Sequence, residues 1–376
     1  MIKVAIFGAG KFGQYIKEIL EKKVEVKCFI DNNKSIQNTK ICGYEVVSVE
    51  NFVENYANIV DNVLIAMAHP RATYQVISQL RTNHINHIYY VSKEVLDFKL
   101  DIIGNDGEFN NYVIELDKYN NIIPQLETHI IDSCNLNCKG CTHFSNLFDK
   151  NSIVPLDTFI NDLKLVNSNA FVLRFFVMGG EPLCNDNVIR YIEEARKLLP
   201  KTDIRLLTNG LLIPKMKEDF FVTLKNNNIS VTISQYRPTS KIKADIEKIL
   251  NKYGIHYIMS EEVDGFIKNL MYSKNNNPKY SLEHCYAQGC INIRNGKLYQ
   301  CPLETFLYKF QEYYKIDYKI NTGISLDKVC DIKNILDCLY NTPQEICSYC
   351  GEYKHEFFCW EQSLQPKISD WMITEE

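Results

Sequence analysis

Three cysteines within eight residues, Cys134, Cys138 and Cys141, follow directly on an apolar stretch at residues 126–132, in the order Asp-Ser-Cys-Asn-Leu-Asn-Cys-Lys-Gly-Cys. The stretch reads as a strand. Its cysteines then lie on a loop at the carboxyl end, where parallel α/β folds place their ligands. A C-x3-C-x2-C loop can wrap three sulfurs around one four-iron, four-sulfur (4Fe-4S) cluster, and it leaves one iron without a protein ligand. Such an unfilled coordination position is where a cofactor or substrate can bind. A zinc site and three unrelated buried thiols are the competing readings.

At 376 residues and 45% hydrophobic content, the chain is long enough for two or three domains with their own cores. A net charge of -4 and the lack of any long run of like charge argue against nucleic acid or an acidic membrane as partner. No apolar run approaches the ~18–20 residues of a membrane span. The N-terminal apolar run is too short for a signal peptide and no small-residue cleavage site follows it. The expectation is a soluble, cytoplasmic protein. In that reducing compartment fourteen cysteines do not read as a disulfide scaffold. Two lie in the first hundred residues, four between 134 and 184, and eight after 284, an uneven placement that favours ligands over scattered core thiols.

The fold class read from the pattern is α/β in three parts. Residues 3–8 read as a buried strand, Gly8, Gly10 and Gly13 follow in G-x-G-x-x-G spacing, and a helix and a second strand ending at Asp31 complete a βαβ unit. Further strands at 63–68 and 88–91 predict a short doubly wound, Rossmann-like sheet over residues 1–98. Turn signals at 104–107 and 120–121 predict a hairpin-like connector over 99–125, closed by Pro124. From 126 to 280 strands at 126–132, 172–178, 203–207, 230–234 and 256–259 alternate with helices at 157–166, 187–199 and from 240 to Gly254, which predicts a parallel sheet forming a full or partial (β/α) barrel. Residues 281–376 lose the alternation and read as a small cysteine-rich domain stapled by metal.

The cysteine spacing resembles the defining motif of the radical S-adenosylmethionine (radical SAM) superfamily, over roughly residues 126–280. In that family the open iron chelates S-adenosylmethionine, and an electron from the reduced cluster releases methionine and a 5'-deoxyadenosyl radical that abstracts a substrate hydrogen. The resemblance implies a 4Fe-4S cluster on Cys134, Cys138 and Cys141, S-adenosylmethionine as cofactor, and a reductase, flavodoxin or ferredoxin as electron donor. A second match is Gly179-Gly180-Glu181-Pro182, which resembles the family's glycine-glycine-glutamate-proline segment. There the glycines would let backbone approach the methionine moiety, the Glu181 carboxylate would accept from its ammonium group, and Pro182 would fix the turn. Thr208, Asn209 and Ser234, at the ends of later strands, stand where the family contacts ribose and substrate. One departure is Gly140, where the family usually has an aromatic residue that seats adenine; His143 and Phe144 are the candidate substitutes.

Cys285, Gly296, Cys301 and the pair Cys347 and Cys350 resemble the twitch extension of that superfamily, which binds one auxiliary 4Fe-4S cluster through four thiolates. The longer SPASM version needs cysteines that this chain lacks beyond Cys350. A four-cysteine zinc ribbon uses the same ligands, and Cys290 competes with Cys285 for the first position. Cys330, Cys338 and Cys359 read as packing or protective thiols, and Cys184, just past Glu181, as a buried bystander, with a hydrogen donor facing the active site as its alternative. In the first domain, Gly8, Gly10, Gly13 and Asp31 would hold a pyrophosphate and a ribose hydroxyl. That domain also resembles the Rossmann-like domain of some sugar acetyltransferases, through Phe29-Ile-Asp31-Asn32 and Cys42-Gly43-Tyr44-Glu45-Val46. A nucleotide-sugar, NAD, and a ligand-free scaffold are its three readings. The functional expectation is a radical SAM oxidoreductase or isomerase acting on a carbohydrate or nucleotide-sugar-like small molecule. Modification of a ribosomally made peptide, and a non-catalytic zinc or iron–sulfur binding protein, are the alternatives.

Overall fold

The computed structural model describes every residue except 21, 92–112, 275, 286, 328–330, 352–353 and 374–376. It divides into two compact units, Met1–Pro124 and Gln125–Glu376. Among the described residues no helix is long and apolar enough to cross a membrane.

In the first unit the expected βαβ unit is present. Strand β1 (Ile2–Phe7) leads through the glycine loop into the helix Lys11–Leu20, whose Gly13, Ile16 and Leu20 are buried, and then into β2 (Val24–Ile30). Two short strands, β3 (Lys40–Ile41) and β4 (Tyr44–Val47), form an antiparallel hairpin that the pattern did not separate. Its two turn residues, Cys42 and Gly43, have φ of 51° and 85°, the left-handed pair that a two-residue hairpin requires. With β5 (Asn62–Ile65), β6 (Ile88–Tyr90) and β7 (Ile114–Glu115) the sheet order is β3-β4-β2-β1-β5-β6-β7, parallel except at the two edges.

The expected connector does not persist as one piece. Its turn at 104–107 lies outside the described residues, Ile114–Glu115 joins the first sheet, and Pro124 sits inside β8 (Ile122–His129). Proline is tolerated there because the pairing of β8 with β14 begins only at Leu126.

The second unit is built on an eight-stranded sheet. Strand β8 starts and ends earlier than the expected 126–132, whereas β9 (Phe171–Met178), β10 (Asp203–Thr208), β11 (Ser230–Ile233) and β12 (Tyr257–Met259) follow the expected positions closely. So do the helices Leu156–Asn167, Val188–Leu198 and Lys243–Tyr253, the last stopped by Gly254 at φ 64°. The helix Glu218–Asn226, between β10 and β11, is an addition to the expected elements.

The sheet order is β12-β11-β10-β9-β8-β14-β15-β16, with β14 (Ile291–Arg294) parallel to β8 and the short β15 (Lys297–Tyr299) and β16 (Ile324–Ser325) antiparallel at the edge. The order is open-ended, so of the two expected forms the barrel is not the full one. The boundary expected at 281 is not a break either, because β14 to β16 continue the same sheet and residues 125–376 form one unit. The last segment also carries the helices Pro302–Tyr314 and Ile332–Asn341. A separate two-stranded sheet pairs β13 (Gly265–Ile267) with β17 (Phe357–Cys359).

What holds β14 to β8 beyond the strand pairing is an ion pair. Arg294 donates to both oxygens of Asp132, at 2.9 and 2.7 Å, and the two side chains are 17% and 5% exposed. Asp162, on the helix before β9, accepts from the backbone N–H groups of Asn295 and Gly296 and so fixes the turn after β14. Removing one member of a buried pair strands the other's charge, at a cost of about 3–5 kcal/mol. Arg294→Ala is therefore expected to lower the urea midpoint of the protein by the equivalent of about 3 kcal/mol or more. An unchanged midpoint would show that the pair does not join these strands.

Candidate functional site

The three loop cysteines come together as the spacing implies. Cys134, Cys138 and Cys141 share one packed cluster with Leu136, Leu211, Tyr236, Phe266 and Trp360. Two N–H groups point at the sulfurs: the Leu136 backbone donates to Cys134 Sγ at 3.4 Å and the Trp360 indole to Cys138 Sγ at 3.1 Å. Burial raises both thiols, Cys138 up to about 12, so each gives up its proton only when a positive partner replaces it. An apolar wall, converging thiols and N–H groups on sulfur are what a cluster's ligands need, and the loop fits a 4Fe-4S group.

The Gly179-Gly180-Glu181-Pro182 segment ends β9 beside this loop, and the structure corrects the roles expected for it. A Cβ on Gly179 would lie 2.3 Å from the Ile131 carbonyl oxygen, and one on Gly180 would lie 2.3 Å from that of Ser133. The glycines are therefore required by the close approach of the cysteine loop's own backbone. That approach is sealed by the Gly180 N–H on Ile131 O and the Glu181 N–H on Ser133 O. Glu181 is fully buried, and its carboxylate accepts from Thr208 Oγ1 at 2.6 Å, Asn209 N at 2.8 Å and Leu183 N at 3.0 Å. With no exposed surface it ties the chain to itself in place of a ligand's ammonium group. Burial moves its pKa up to about 6 against these three donors. Pro182 starts the expected turn.

Asn209 is placed by Glu181 and passes the contact on. Its amide nitrogen donates to Asn135 Oδ1 at 2.7 Å, within the cysteine loop, and lies 3.9 Å from Cys134 Sγ. Thr208 likewise serves Glu181, whereas Ser234 is half-buried at the end of β11, its N–H on the Thr208 carbonyl. Cys184 is half-buried, and the Asn135 backbone N–H faces its thiol.

Neither His143 nor Phe144 stands in for the missing aromatic at Gly140. Phe144 is fully buried at φ 52° against Phe310 and Trp371. His143 Nδ1 is 2.7 Å from His129 Nε2, His129 Nδ1 is 2.9 Å from Asp132 Oδ1, and Phe306 stacks on both rings. Burial lowers both histidines against the opposing pull of Asp132, His143 to about 3, so both are neutral near pH 7. The ring beside Gly140 is Phe358: a Cβ there would meet its Cζ at 2.4 Å. His129, Trp360 and Phe358 were missed by sequence reasoning. One signal was available, since the chain's two tryptophans, Trp360 and Trp371, both fall near its C-terminal end.

Cys285, Cys301, Cys347 and Cys350 line one cavity with largely apolar walls, together with Thr142 and Asn269. Cys301 is the N-cap residue of the helix Pro302–Tyr314, and burial, with the charge of Glu304 and the neighbouring thiols, pushes its thiol well up. Cys290 is not on that cavity wall: it is half-buried on β8's side, where Gln125 Nε2 lies 3.6 Å from its sulfur and its thiol faces Glu127. Cys338 faces Gln344, Cys359 is exposed, and Cys330 lies outside the described residues. Among the described residues no three His, Cys, Asp or Glu side chains are gathered tightly enough for a single metal ion. A four-iron cluster spreads its thiolates over a wider frame than one ion does.

In the first unit the three glycines divide the work of the loop. Gly8, at φ 108°, makes the turn; Gly13 lets the helix pack on the Gly8 carbonyl; and, among the described residues beyond its chain neighbours, no atom lies within 4 Å of a Cβ built on Gly10. The open side at Gly10 is where a bound group can approach. Asp31 is already engaged, accepting from the N–H groups of Ala9 and Asn33 at 2.8 Å each, so its first role is to anchor the glycine loop.

Residues 128–260 match the family model of the radical SAM superfamily, and residues 1–87 match that described as "C2185-like, N-terminal". The GTP 3',8-cyclase of Helicobacter pylori is 28% identical over 117 residues, 31% of this chain and 35% of the relative. That of Clostridium acetobutylicum is 34% identical over 119 residues, 31% and 37% respectively, so the chain spans about a third of the length of these curated relatives. A solved structure of BtrN in an open conformation is 15% identical, covering 63% of this chain and 88% of that chain at a TM-score of 0.34, an overlap too low to carry an argument. The matched stretch contains the cysteine loop, the Gly-Gly-Glu-Pro segment and Asn209: residues 128–260 are a radical SAM superfamily domain, and that family's enzymes work with a 4Fe-4S cluster and S-adenosylmethionine.

Proposed function

We propose that the protein cleaves S-adenosylmethionine reductively at a cluster held by Cys134, Cys138 and Cys141, and abstracts hydrogen from a small polar substrate of carbohydrate or nucleotide-sugar type. The observation that carries this reading is the chain of contacts from the Glu181 carboxylate through Asn209 to the cysteine loop. When bound, the cluster and S-adenosylmethionine supply a 5'-deoxyadenosyl radical. The chain's own part is to hold three thiols in an apolar wall, to fix Asn209 beside Cys134, and to keep the loop pressed on Gly179 and Gly180. An auxiliary 4Fe-4S cluster on Cys285, Cys301, Cys347 and Cys350 belongs to the same reading, supported by their common cavity. If it accepts the substrate radical's electron, the product is a ketone; otherwise epimerisation or dehydration follows.

A polar substrate is supported by one face of the second sheet. Pairing sets Asn292 beside Glu127, Arg174 beside Asp203 and Arg205 beside Ser230 on neighbouring strands. Among the described residues, the hydroxyl oxygens of Ser230 and Thr232 and the amide oxygen of Asn292 are buried without a hydrogen-bond partner. Buried polar atoms cost free energy unless paired, so a face of this kind suits a ligand rich in hydroxyl groups. A nucleotide portion is supported by the open side of Gly10, and the relatives named GTP 3',8-cyclase carry a nucleotide in their name. The glycine loop of the first unit and the cysteine-bearing segment 281–376 of the second would then serve a nucleotide handle and the auxiliary cluster.

Anaerobic reconstitution tests the reading. About eight irons per chain and 5'-deoxyadenosine after dithionite are expected. Replacing Cys134, Cys138 and Cys141 together by Ala should leave about four irons and abolish cleavage, whereas Cys347→Ala with Cys350→Ala should leave about four and retain it. Zinc without cleavage in the unaltered protein would establish a metal-binding module instead. Stimulation of cleavage by nucleotide-sugars, and none by peptides, identifies the substrate class.

The Glu181 carboxylate adds a pH dependence. Its folded pKa of about 6 lies above the ordinary 4.5, so its contribution to stability is present below pH 4.5 and lost as pH rises through 6. The ionised form, which accepts from Thr208, Asn209 and Leu183, prevails only above that value. Cleavage is therefore expected to fall as pH drops through about 6, although this group's effect on stability runs the other way. Glu181→Gln should lower cleavage at neutral pH by roughly tenfold, the size of one lost charge-assisted hydrogen bond, and flatten the profile. A variant that keeps the wild-type profile would remove Glu181 from this role.

A further inference from the structure

The end of the chain returns to the cysteine loop and lies along it. Lys139 N–H donates to the Glu361 carbonyl at 2.9 Å and Ser363 N–H to that of Asn137 at 2.8 Å. Cys138 and Gln362 form an antiparallel bridge between these bonds, and Gln362 Nε2 donates to the Leu136 carbonyl at 2.8 Å. Residues 358–363 thus form a strap over the loop. Both tryptophans of the chain take part, but they donate to different acceptors. Trp371 Nε1 reaches the backbone oxygen of Cys141 at 2.8 Å, while Trp360 Nε1 reaches the sulfur of Cys138 at 3.1 Å.

The second contact is the chemically informative one. Trp360 and Cys138 are 8% and 7% exposed, so water does not compete for that sulfur. The indole is held in place by its own backbone N–H on the Asp264 carbonyl at 2.7 Å and by the ring of Tyr236, whose centroid is 5.9 Å away. A reduced cluster carries one more negative charge than an oxidised one, and part of that charge sits on the ligand sulfurs. A fixed N–H dipole in a low-dielectric site favours the more negative state. Hydrogen bonds to sulfur are among the levers that set cluster potential.

We propose that Trp360 is a positioning residue that raises the electron affinity of the cluster on Cys134, Cys138 and Cys141, through its indole N–H on the Cys138 sulfur. This rests on the proposed function, and its experiment separates the two. The full chain is reconstituted anaerobically, and the paramagnetic signal of the dithionite-reduced protein is followed against solution potential. The signal that changes on adding S-adenosylmethionine marks this cluster apart from one on Cys285, Cys301, Cys347 and Cys350.

Two changes at position 360 are compared with the unaltered protein: Trp360→Phe, and replacement of Trp360 by benzothienylalanine, which keeps the bicyclic shape without the N–H. Both should retain iron and shift the midpoint to more negative potential. A tenfold fall in the reduced-to-oxidised ratio at fixed solution potential, about 59 mV for a one-electron couple, is the expected size. Trp371→Phe, which removes a donation to a carbonyl, should leave the midpoint in place. An unshifted midpoint in a fully loaded benzothienylalanine protein overturns the proposal, as does loss of iron from both variants, which would make Trp360 structural only. Failure of the unaltered protein to assemble any cluster sensitive to S-adenosylmethionine would overturn the functional reading itself.

Discussion

A carboxylate buried with no cation against it organises the second unit's site. Glu181 is fully buried, and three short hydrogen bonds from Thr208, Asn209 and Leu183 stand in for the water it has lost. The donors come from two places in the chain: Thr208 and Asn209 at the end of β10, and Leu183 in the turn that follows β9. Satisfying this one group therefore fixes the relative positions of two strand ends. Because Asn209 also reaches Asn135, the same constraint extends to the loop that carries Cys134. The cost of an unsatisfied buried carboxylate would be several kcal/mol, which is why no donor here is free to serve another purpose.

A second constraint works from the opposite side of the loop. Gly179 and Gly180 press on the backbone at Ile131 and Ser133, while Phe358 presses on Gly140. The loop is held between a segment close to it in sequence and a strap more than two hundred residues away. Buried histidines complete the wall: His129 and His143 are linked nitrogen to nitrogen and anchored on Asp132, which Arg294 grips from β14. Burial would raise the Asp132 carboxyl, but His129 and Arg294 outweigh it and hold it below the usual range. The loop is thereby tied to the strand that extends the sheet on its other side.

These contacts explain which parts of the molecule could be read in advance. The strands β8 to β12 and the helices between most of them were legible because apolar period and capping are local properties, as at Gly254. The four cysteines at 285, 301, 347 and 350 could be grouped by spacing, and they do share a cavity. Choosing Cys285 over Cys290 could not be read, because five residues of separation carry no information about direction. The choice depends on β14 pairing with β8, which turns Cys290 toward Gln125 and Glu127. The contacts of Glu181 could not be read for a related reason: its neighbours in sequence suggested a ligand contact, and two of the three donors that hold it lie 27 and 28 residues on. Likewise the boundary at 281 was drawn where alternation fails, although a strand of four residues was enough to continue the sheet.

The departure at Gly140 shows how a local motif can be incomplete without being broken. A side chain there would collide with Phe358, so the absent Cβ and the distant ring are one arrangement, not a defect and an accident. The ring belongs to β17, whose partner β13 leads back toward Tyr236 through Phe266, and Tyr236 in turn lies against Trp360. An aromatic surround that a single residue before Cys141 would supply in part is here assembled from three segments. Its indole N–H reaches the Cys138 sulfur only because the strap runs antiparallel to the loop at Gln362. The chemistry of the loop is consequently set by tertiary contacts as much as by its own three cysteines.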